Sequence, residues 1–289
     1  MKNVFITGIA GGFGKPTALA LLARGYVVAG SVRSRSGKNA ATVAELEAAG
    51  ARIIEMDVTD TASTERGVSD AISQLGGLDI LFNNAGIGSY GIQELMSPED
   101  MTRVLDVNVM GVQRVMRAAL PHLRAQGRGT VLYTSSLIGR IATPFYGTYS
   151  ASKWALEAIV ECYRTELSGF GIESCIIEPG AMPTAFFDGM VTPNDAAREA
   201  EYGDFAAVPA MSSNGLVQML DATPDQRPER IAEAVVALLD RPLGEKPFRT
   251  VVDYVGVGPE IERYNEVLHD VTRNIFTSFG IEQMLDLNA

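Results

Sequence analysis

The chain has 289 residues, 46% of them hydrophobic and 20% charged, which suits one large domain with a substantial core. A net charge of −11 and a pI near 4.8 argue against nucleic acid or an anionic membrane surface as a partner. No apolar run approaches the ~20 residues of a membrane span, and the opening MKNVFITGIAGGFG is too short and glycine-rich for a secretory signal, so a cytoplasmic protein is expected.

Apolar runs alternate with helical patterns from the start. Val4-Phe5-Ile6 reads as a buried strand, followed after a glycine-rich turn by a helix over 14–24. Strand 26–31, helix 38–49, strand 51–56 and helix 60–75 come next. LDILFNN at 78–84 is a further strand, and 97–125 a long helix opened by Ser-Pro-Glu-Asp. Strands at 129–136 and 172–179 flank a helix over about 146–167. Continuous apolar strands, each followed by a helix, predict a doubly wound parallel α/β sheet covered on both faces, in a single domain. Residues 180–227 break the pattern: four prolines and scattered Phe and Met residues predict an irregular substrate lid. Beyond it the expected elements are a helix at 228–240, a last strand at 249–257, and one or two tail helices over 259–286.

Cys162 and Cys175 stand in apolar helix and strand patterns and are expected to be buried free thiols. His122 and His269 lack ligand-spaced companions, so no metal is expected.

Two stretches carry chemistry. ITGIAGGFGKP joins the first strand to the first helix, with Gly8, Gly12 and Gly14 in a T-G-x-x-x-G-x-G spacing. Glycines there permit a tight turn and close approach to a pyrophosphate, which the following helix N-terminus favours electrostatically. A glycine-rich turn is also ordinary loop punctuation, but its place between strand and helix favours the dinucleotide reading. In YGTYSASK, Tyr149 and Lys153 are four residues apart and share one face of a helix, where a packed ring beside a snorkelling lysine would be the plain alternative.

The glycine motif, NNAG at 83–86 and Y-x-x-x-K at 149–153 together resemble the short-chain dehydrogenase/reductase family, in the branch with a simple Rossmann domain. DVNVMG (106–111), YTSS (133–136) and EPGAMPT (178–184) fall where that family has further motifs. The resemblance covers roughly residues 1–260. It implies a catalytic set of Asn108, Ser136, Tyr149 and Lys153. The serine thirteen residues before the tyrosine selects Ser136 over Ser135, and Tyr149 over Tyr146. Carbonyl reduction needs a hydride at carbon and a proton at oxygen. Tyr149 would donate the proton while Ser136 holds the oxygen. An ordinary tyrosine is about three pK units too basic for neutral pH, a gap of roughly 4 kcal/mol that the Lys153 ammonium is expected to narrow. The family also implies that Lys153 binds the nicotinamide ribose and that Asn108 holds a proton-relaying water.

Cofactor contacts are expected from Gly8, Gly12, Phe13, Gly14, Asn84, Gly86, Met182 and Thr184, with Asp57 and Val58 at the adenine. Pro183 departs from the family pattern. An NAD enzyme carries an acid at the end of the second strand. This chain has Ser31 and Val32, followed by Arg33, Arg35 and Lys38, so NADP(H) is expected over NAD(H), with Arg33 on the 2′-phosphate. Tyr146, Phe186 and Phe187 are expected to wall a pocket for a fairly apolar carbonyl or alcohol substrate, as in hydroxysteroid- and retinol-type members. A homo-oligomer, dimer or tetramer, is expected. The alternatives are an NAD-dependent alcohol dehydrogenase of the same family, a non-catalytic dinucleotide sensor and a structural protein. The presence of all four catalytic candidates weighs against the last two.

Overall fold

In the computed structural model, which describes residues 2–287, seven strands form one wholly parallel sheet in the order β3-β2-β1-β4-β5-β6-β7. They are β1 (Asn3–Ile6), β2 (Val27–Val32), β3 (Arg52–Glu55), β4 (Ile80–Asn83), β5 (Gly129–Thr134), β6 (Ile172–Pro179) and β7 (Arg249–Val252). Side chains alternate across a strand, so each strand feeds two cores. Val4 and Ile6 of β1 join one core beneath α1 (Gly14–Ala23), α2 (Ala40–Ala48) and α9 (Glu229–Asp240). Phe5 faces the other, beneath α3 (Thr61–Leu75), α5 (Gly111–Gln126) and α6 (Gly147–Ser168). Burial on both faces is why these strands read as unbroken apolar runs rather than alternating ones.

The strand order reverses between β1 and β4. Neighbouring connections leave on opposite faces there and open a crevice at the strands' carboxyl ends. Every motif singled out above lies at or next to that edge.

Four expectations change. The long helix at 97–125 is α4 (Pro98–Leu105) and α5 joined by a π-helical turn over Asp106–Met110. One wide turn re-aims the residues inside it, which sequence periodicity does not reveal. The lid is not irregular throughout: it contains α7 (Ala196–Ala200) and the fourteen-residue α8 (Val208–Asp221). The last strand stops at Val252 because the Asp253 carboxylate accepts hydrogen bonds from the amides of Gly256, Val257 and Gly258. Those bonds turn the chain into α10 (Gly258–Phe279). Of the cysteines, both free, Cys175 is buried but Cys162 is exposed, because position 162 falls on the face of α6 turned away from the sheet. No helix among the described residues is long and apolar enough to cross a membrane.

Two glycine substitutions separate packing from propensity. A Cβ on Gly14 would lie 2.5 Å from the Gly8 carbonyl oxygen and 2.9 Å from Ile9 Cα, all rigid backbone. A Cβ on Gly215, inside α8, meets nothing within 4 Å. Gly14→Ala is expected to destabilise the protein by about 1–3 kcal/mol, and Gly215→Ala to stabilise α8 by about 0.5–1 kcal/mol, both read from denaturant midpoints.

Candidate active site

A cleft of about 2000 Å³ runs along the carboxyl edge of the sheet. That exceeds the ~300–1,000 Å³ of an ordinary small-ligand pocket and leaves room for a large ligand and a second molecule. Of the residues expected at the site, Gly8, Gly12, Phe13, Arg33, Asp57, Val58, Asn84, Gly86, Ser136, Tyr146, Tyr149, Lys153, Met182, Thr184, Phe186 and Phe187 all line it. Gly14 and Asn108 do not.

At the centre of the cleft the glycine turn follows β1. Gly8 takes φ +66°, a left-handed conformation that favours glycine. Across the cleft, Thr184 lies so close that a Cβ on Gly12 would sit 2.6 Å from its Cβ. The close approach of Thr184 to this turn is therefore possible only because position 12 is a glycine.

At one end, β2 stops at Ser31 and Val32, both buried, with Arg33 exposed after them. Arg35 is committed elsewhere: its guanidinium bonds the Glu47 carboxylate and the Ile53 carbonyl. Among the described residues Arg33 and Lys38 have no carboxylate partner, and both face the cleft. Asp57 spends Oδ1 on the amide and hydroxyl of Thr59. Arg114 holds the Val58 carbonyl at 3.0 Å and the Asp106 carboxylate at 2.7 Å, tying this wall to the π turn.

At the other end, β5 leads into Ser136, and α6 presents Tyr149 and Lys153. Burial pushes the Tyr149 phenol well up, and the Ser136 hydroxyl opposes that more weakly. The Lys153 ammonium lies 5.6 Å from the centroid of the Tyr149 ring and donates to the Thr134 carbonyl at 2.7 Å. Its own pKa is lowered from 10.5 to about 8 by burial, with Glu157 pulling it back up. The expectation that Lys153 brings the tyrosine down toward neutrality is thus not what the protein alone produces. Desolvation of the phenolate is the larger effect.

Asn108 sits in the π turn, almost wholly buried. Its Oδ1 accepts from the Ile87 amide at 2.9 Å, while Nδ2 donates to the Ile87 carbonyl at 2.8 Å and to Ser152 Oγ at 2.9 Å. The side chain is a brace between the loop after β4 and helix α6. Gly86 lies against it: a Cβ there would come within 3.2 Å of Asn108 Oδ1 and 3.7 Å of Lys153 Nζ.

At the Tyr149 end the segment after β6 packs over the cleft. Phe186 packs edge-on to Tyr149 with centroids 5.6 Å apart, and Phe187 packs edge-on to Phe186 at 5.8 Å. Tyr146 instead packs on Tyr90 at 4.7 Å, and its phenol is raised to about 12 by burial and by Tyr90. Tyr90 also donates to the Pro209 carbonyl at 2.7 Å, fastening the start of α8. Val208, Ser212, Leu216 and Met219 of α8 line the cleft at helical spacing. Sequence reasoning missed Tyr90 and this helix face. The only signals were a tyrosine in the glycine-rich GIGSYG loop and an i, i+4, i+8, i+11 row within α8.

A parallel sheet with a glycine turn at its switch point defines a dinucleotide-binding Rossmann protein. The chain belongs to the short-chain dehydrogenase/reductase family: the family description "short chain dehydrogenase" matches residues 2–194. It is 35% identical to the 3-ketodihydrosphingosine reductase of Bacteroides thetaiotaomicron, over 70% of this chain and 71% of that one. It is 33% identical to mouse 17-beta-hydroxysteroid dehydrogenase type 1, over 83% of this chain and 70% of that one. An alcohol dehydrogenase from the archaeon Thermococcus sibiricus, solved with 5-hydroxy-NADP, superposes with a TM-score of 0.69 at 27% identity, covering 87% of this chain and 96% of that one. Solved relatives hold either NADP or NAD.

The buried lysine makes a stability prediction. Between pH 8 and 10.5 the unfolded chain keeps the Lys153 proton and the folded chain does not, so stability rises with pH across that window. Burying the ammonium at neutral pH then costs about 3 kcal/mol. Lys153→Met removes that cost but leaves the Thr134 carbonyl without its donor, worth about 1 kcal/mol. Denaturant unfolding without cofactor at pH 7 is expected to show a gain of about 1–2 kcal/mol and, at pH 9.5, a smaller one.

Proposed function

We propose that the protein is an NADP(H)-dependent oxidoreductase that interconverts a carbonyl and an alcohol on a fairly apolar small molecule. The observation that carries this reading is the convergence of Ser136, Tyr149 and Lys153 at one end of a cleft whose other end holds Arg33, with the glycine turn between them. The dinucleotide, when bound, supplies or accepts the hydride. Gly8, Gly12, Phe13, Asn84, Gly86, Met182 and Thr184 would hold it, with Asp57 and Val58 at the adenine.

The rest of the chemistry falls to the protein. Burial keeps Tyr149 protonated across the neutral range, which suits a proton donor to a carbonyl oxygen. Ser136 offers the same oxygen a hydrogen bond as charge develops on it. Lys153, protonated, stabilises the phenolate left behind by its nearby charge. Because the Asn108 side chain is fully engaged with Ile87 and Ser152, a relaying water would fall to its main-chain carbonyl in the wide π turn. Phe186 and Phe187 exclude water from the phenol. The mostly apolar α8 row of Val208, Leu216 and Met219, with Tyr146 held edge-on by Tyr90 behind it, suits a hydrophobic substrate body. The relatives named for a 3-ketodihydrosphingosine and a 17-beta-hydroxysteroid support that class.

Two measurements test the proposal. Tyr149→Phe is expected to retain NADPH binding and lose about 10²–10⁴-fold in turnover of a ketone panel, while Tyr146→Phe stays within about tenfold of wild type. A dead Tyr146→Phe beside an active Tyr149→Phe would reverse the assignment. Arg33→Gln is expected to weaken NADPH binding by about 1.5–3 kcal/mol in fluorescence titration and leave NADH nearly unchanged. Added salt should narrow the NADPH advantage of the wild type. Tighter binding of NADH by the wild-type protein would refute the NADP preference.

A further inference from the structure

Beneath the proposed reaction centre lies a cluster of charges that the chemistry above does not use. Tyr149, Lys153, Glu157 and Glu161 follow one another at four-residue spacing along α6, so they form a single stripe running down from the cleft. Glu157 is completely buried. One of its oxygens, Oε2, accepts from Arg140 at 3.3 Å and from Arg249 at 3.1 Å. The other, Oε1, has no hydrogen-bond partner among the described residues and is committed to neither arginine.

The partners come from separate elements. Arg140 ends the short turn Leu137–Gly139 that begins at Ser136, and Arg249 opens β7. Both guanidiniums also reach Glu161, and Arg249 lies 3.7 Å from Glu178 near the end of β6. Asn265 of α10 donates to Glu178. Arg140 is further covered by the rings of Trp154 and Tyr264, at 5.8 and 5.5 Å. A Cβ on Gly139 would lie 3.2 Å from Lys153 Cβ and 3.6 Å from Glu157 Cγ, so the serine-bearing turn is wedged between the lysine and glutamate stems.

A carboxylate this deep is costly unless it is paired, and two arginines more than suffice to pair it. We propose that Glu157 is a positioning residue for the reaction. Through Arg140 it locks the Ser136 turn to the helix bearing Tyr149 and Lys153, and from one turn below it supplies the negative charge that holds Lys153 as an ammonium. This rests on the working role given above to Lys153. The groups facing Lys153 are Tyr149 and Glu157 on its own helix, the Thr134 carbonyl of β5, and Gly86 beside Asn108. Among the described residues, Glu157 is the carboxylate that raises the lysine pKa against burial. Glu178, pushed up by burial and by Glu157, is drawn toward its neutral form and is not among the groups that act on Lys153.

The direct test is an NMR titration of the Lys153 Cε resonance in the full, cofactor-free chain, assigned by its disappearance in Lys153→Met. Glu157→Gln is expected to lower the midpoint by about one pH unit or more. Arg249→Met removes a cation that competes for Glu157 and is expected to raise it. That opposite shift keeps the proposal testable if Glu157→Gln fails to fold. In NADPH-dependent reduction, Glu157→Gln should lose less than about threefold at pH 6.5 and about tenfold or more at pH 8.5. A purely structural clamp would lower the rate equally at every pH and leave the midpoint where it was, and either result would overturn the proposal. Turnover retained by Lys153→Met, with the midpoint shifts intact, would count against the lysine's assigned role while leaving its coupling to Glu157 standing.

Discussion

The Asn84 side chain pins three strand ends together. Its amide donates to the carbonyls of Thr7 and Gly8, its Oδ1 accepts from the Thr134 hydroxyl at 3.3 Å, and its main-chain N–H donates to the Thr7 hydroxyl. These bonds join β1, β4 and β5 where the strand order reverses, and they carry the register of the strand pairs past the last ladder bond between Thr7 and Phe82. The glycine turn, the loop carrying Gly86 and the strand leading to Ser136 all start from this knot. The cleft depends on it.

Around the knot, burial competes with charge. The protein withdraws the Tyr149 phenol, the Lys153 ammonium and the Glu178 carboxylate from water, and each of these three responds in the direction that desolvation dictates. Tyr149 moves up, Lys153 moves down and Glu178 moves up. Ion pairs oppose that burial unevenly. Glu157 shares Arg140 and Arg249, whereas Glu178 has only a longer approach to Arg249 and a hydrogen bond from Asn265. Lys153 thus feels both its own burial and a carboxylate one helical turn below it.

The lid follows different rules. It is tied to the loop after β4 by the short bridge between Ser89 and Val191, by Tyr90 to Pro209, and by Tyr202 to Glu94 at 2.6 Å. Its rings pack on Tyr149 and on one another rather than into the main cores. Phe145, just before α6, takes φ +70°, an uncommon conformation for a bulky residue, and its carbonyl accepts from the Gly91 amide at 2.9 Å. Backbone strain at that position adjoins the wall formed by Tyr90 and Tyr146.

Much of this was legible in the order of residues. The unbroken apolar strands announced a parallel sheet, since only strands buried on both faces can omit polar alternation. The glycine spacing, NNAG and the Tyr149–Lys153 pair announced the cleft, because a close backbone approach and a shared helix face are local properties. The absence of an acid after β2 was equally local. What only the tertiary structure decided depends on neighbours far apart in the chain. Helix α8 was hidden because Pro209 stands in its first turn and Ser212 interrupts its apolar cleft-facing row, so the stretch reads as one more proline-broken part of the loop. The π turn was hidden because a single wide turn leaves no compositional mark. The upward shift of Tyr149 and the buried meeting of Glu157 with Arg140 and Arg249 required the fold itself. Desolvation and ion pairing are set by what surrounds a group in space, and residues 140, 157, 178, 249 and 265 become neighbours only when the sheet and its helices close.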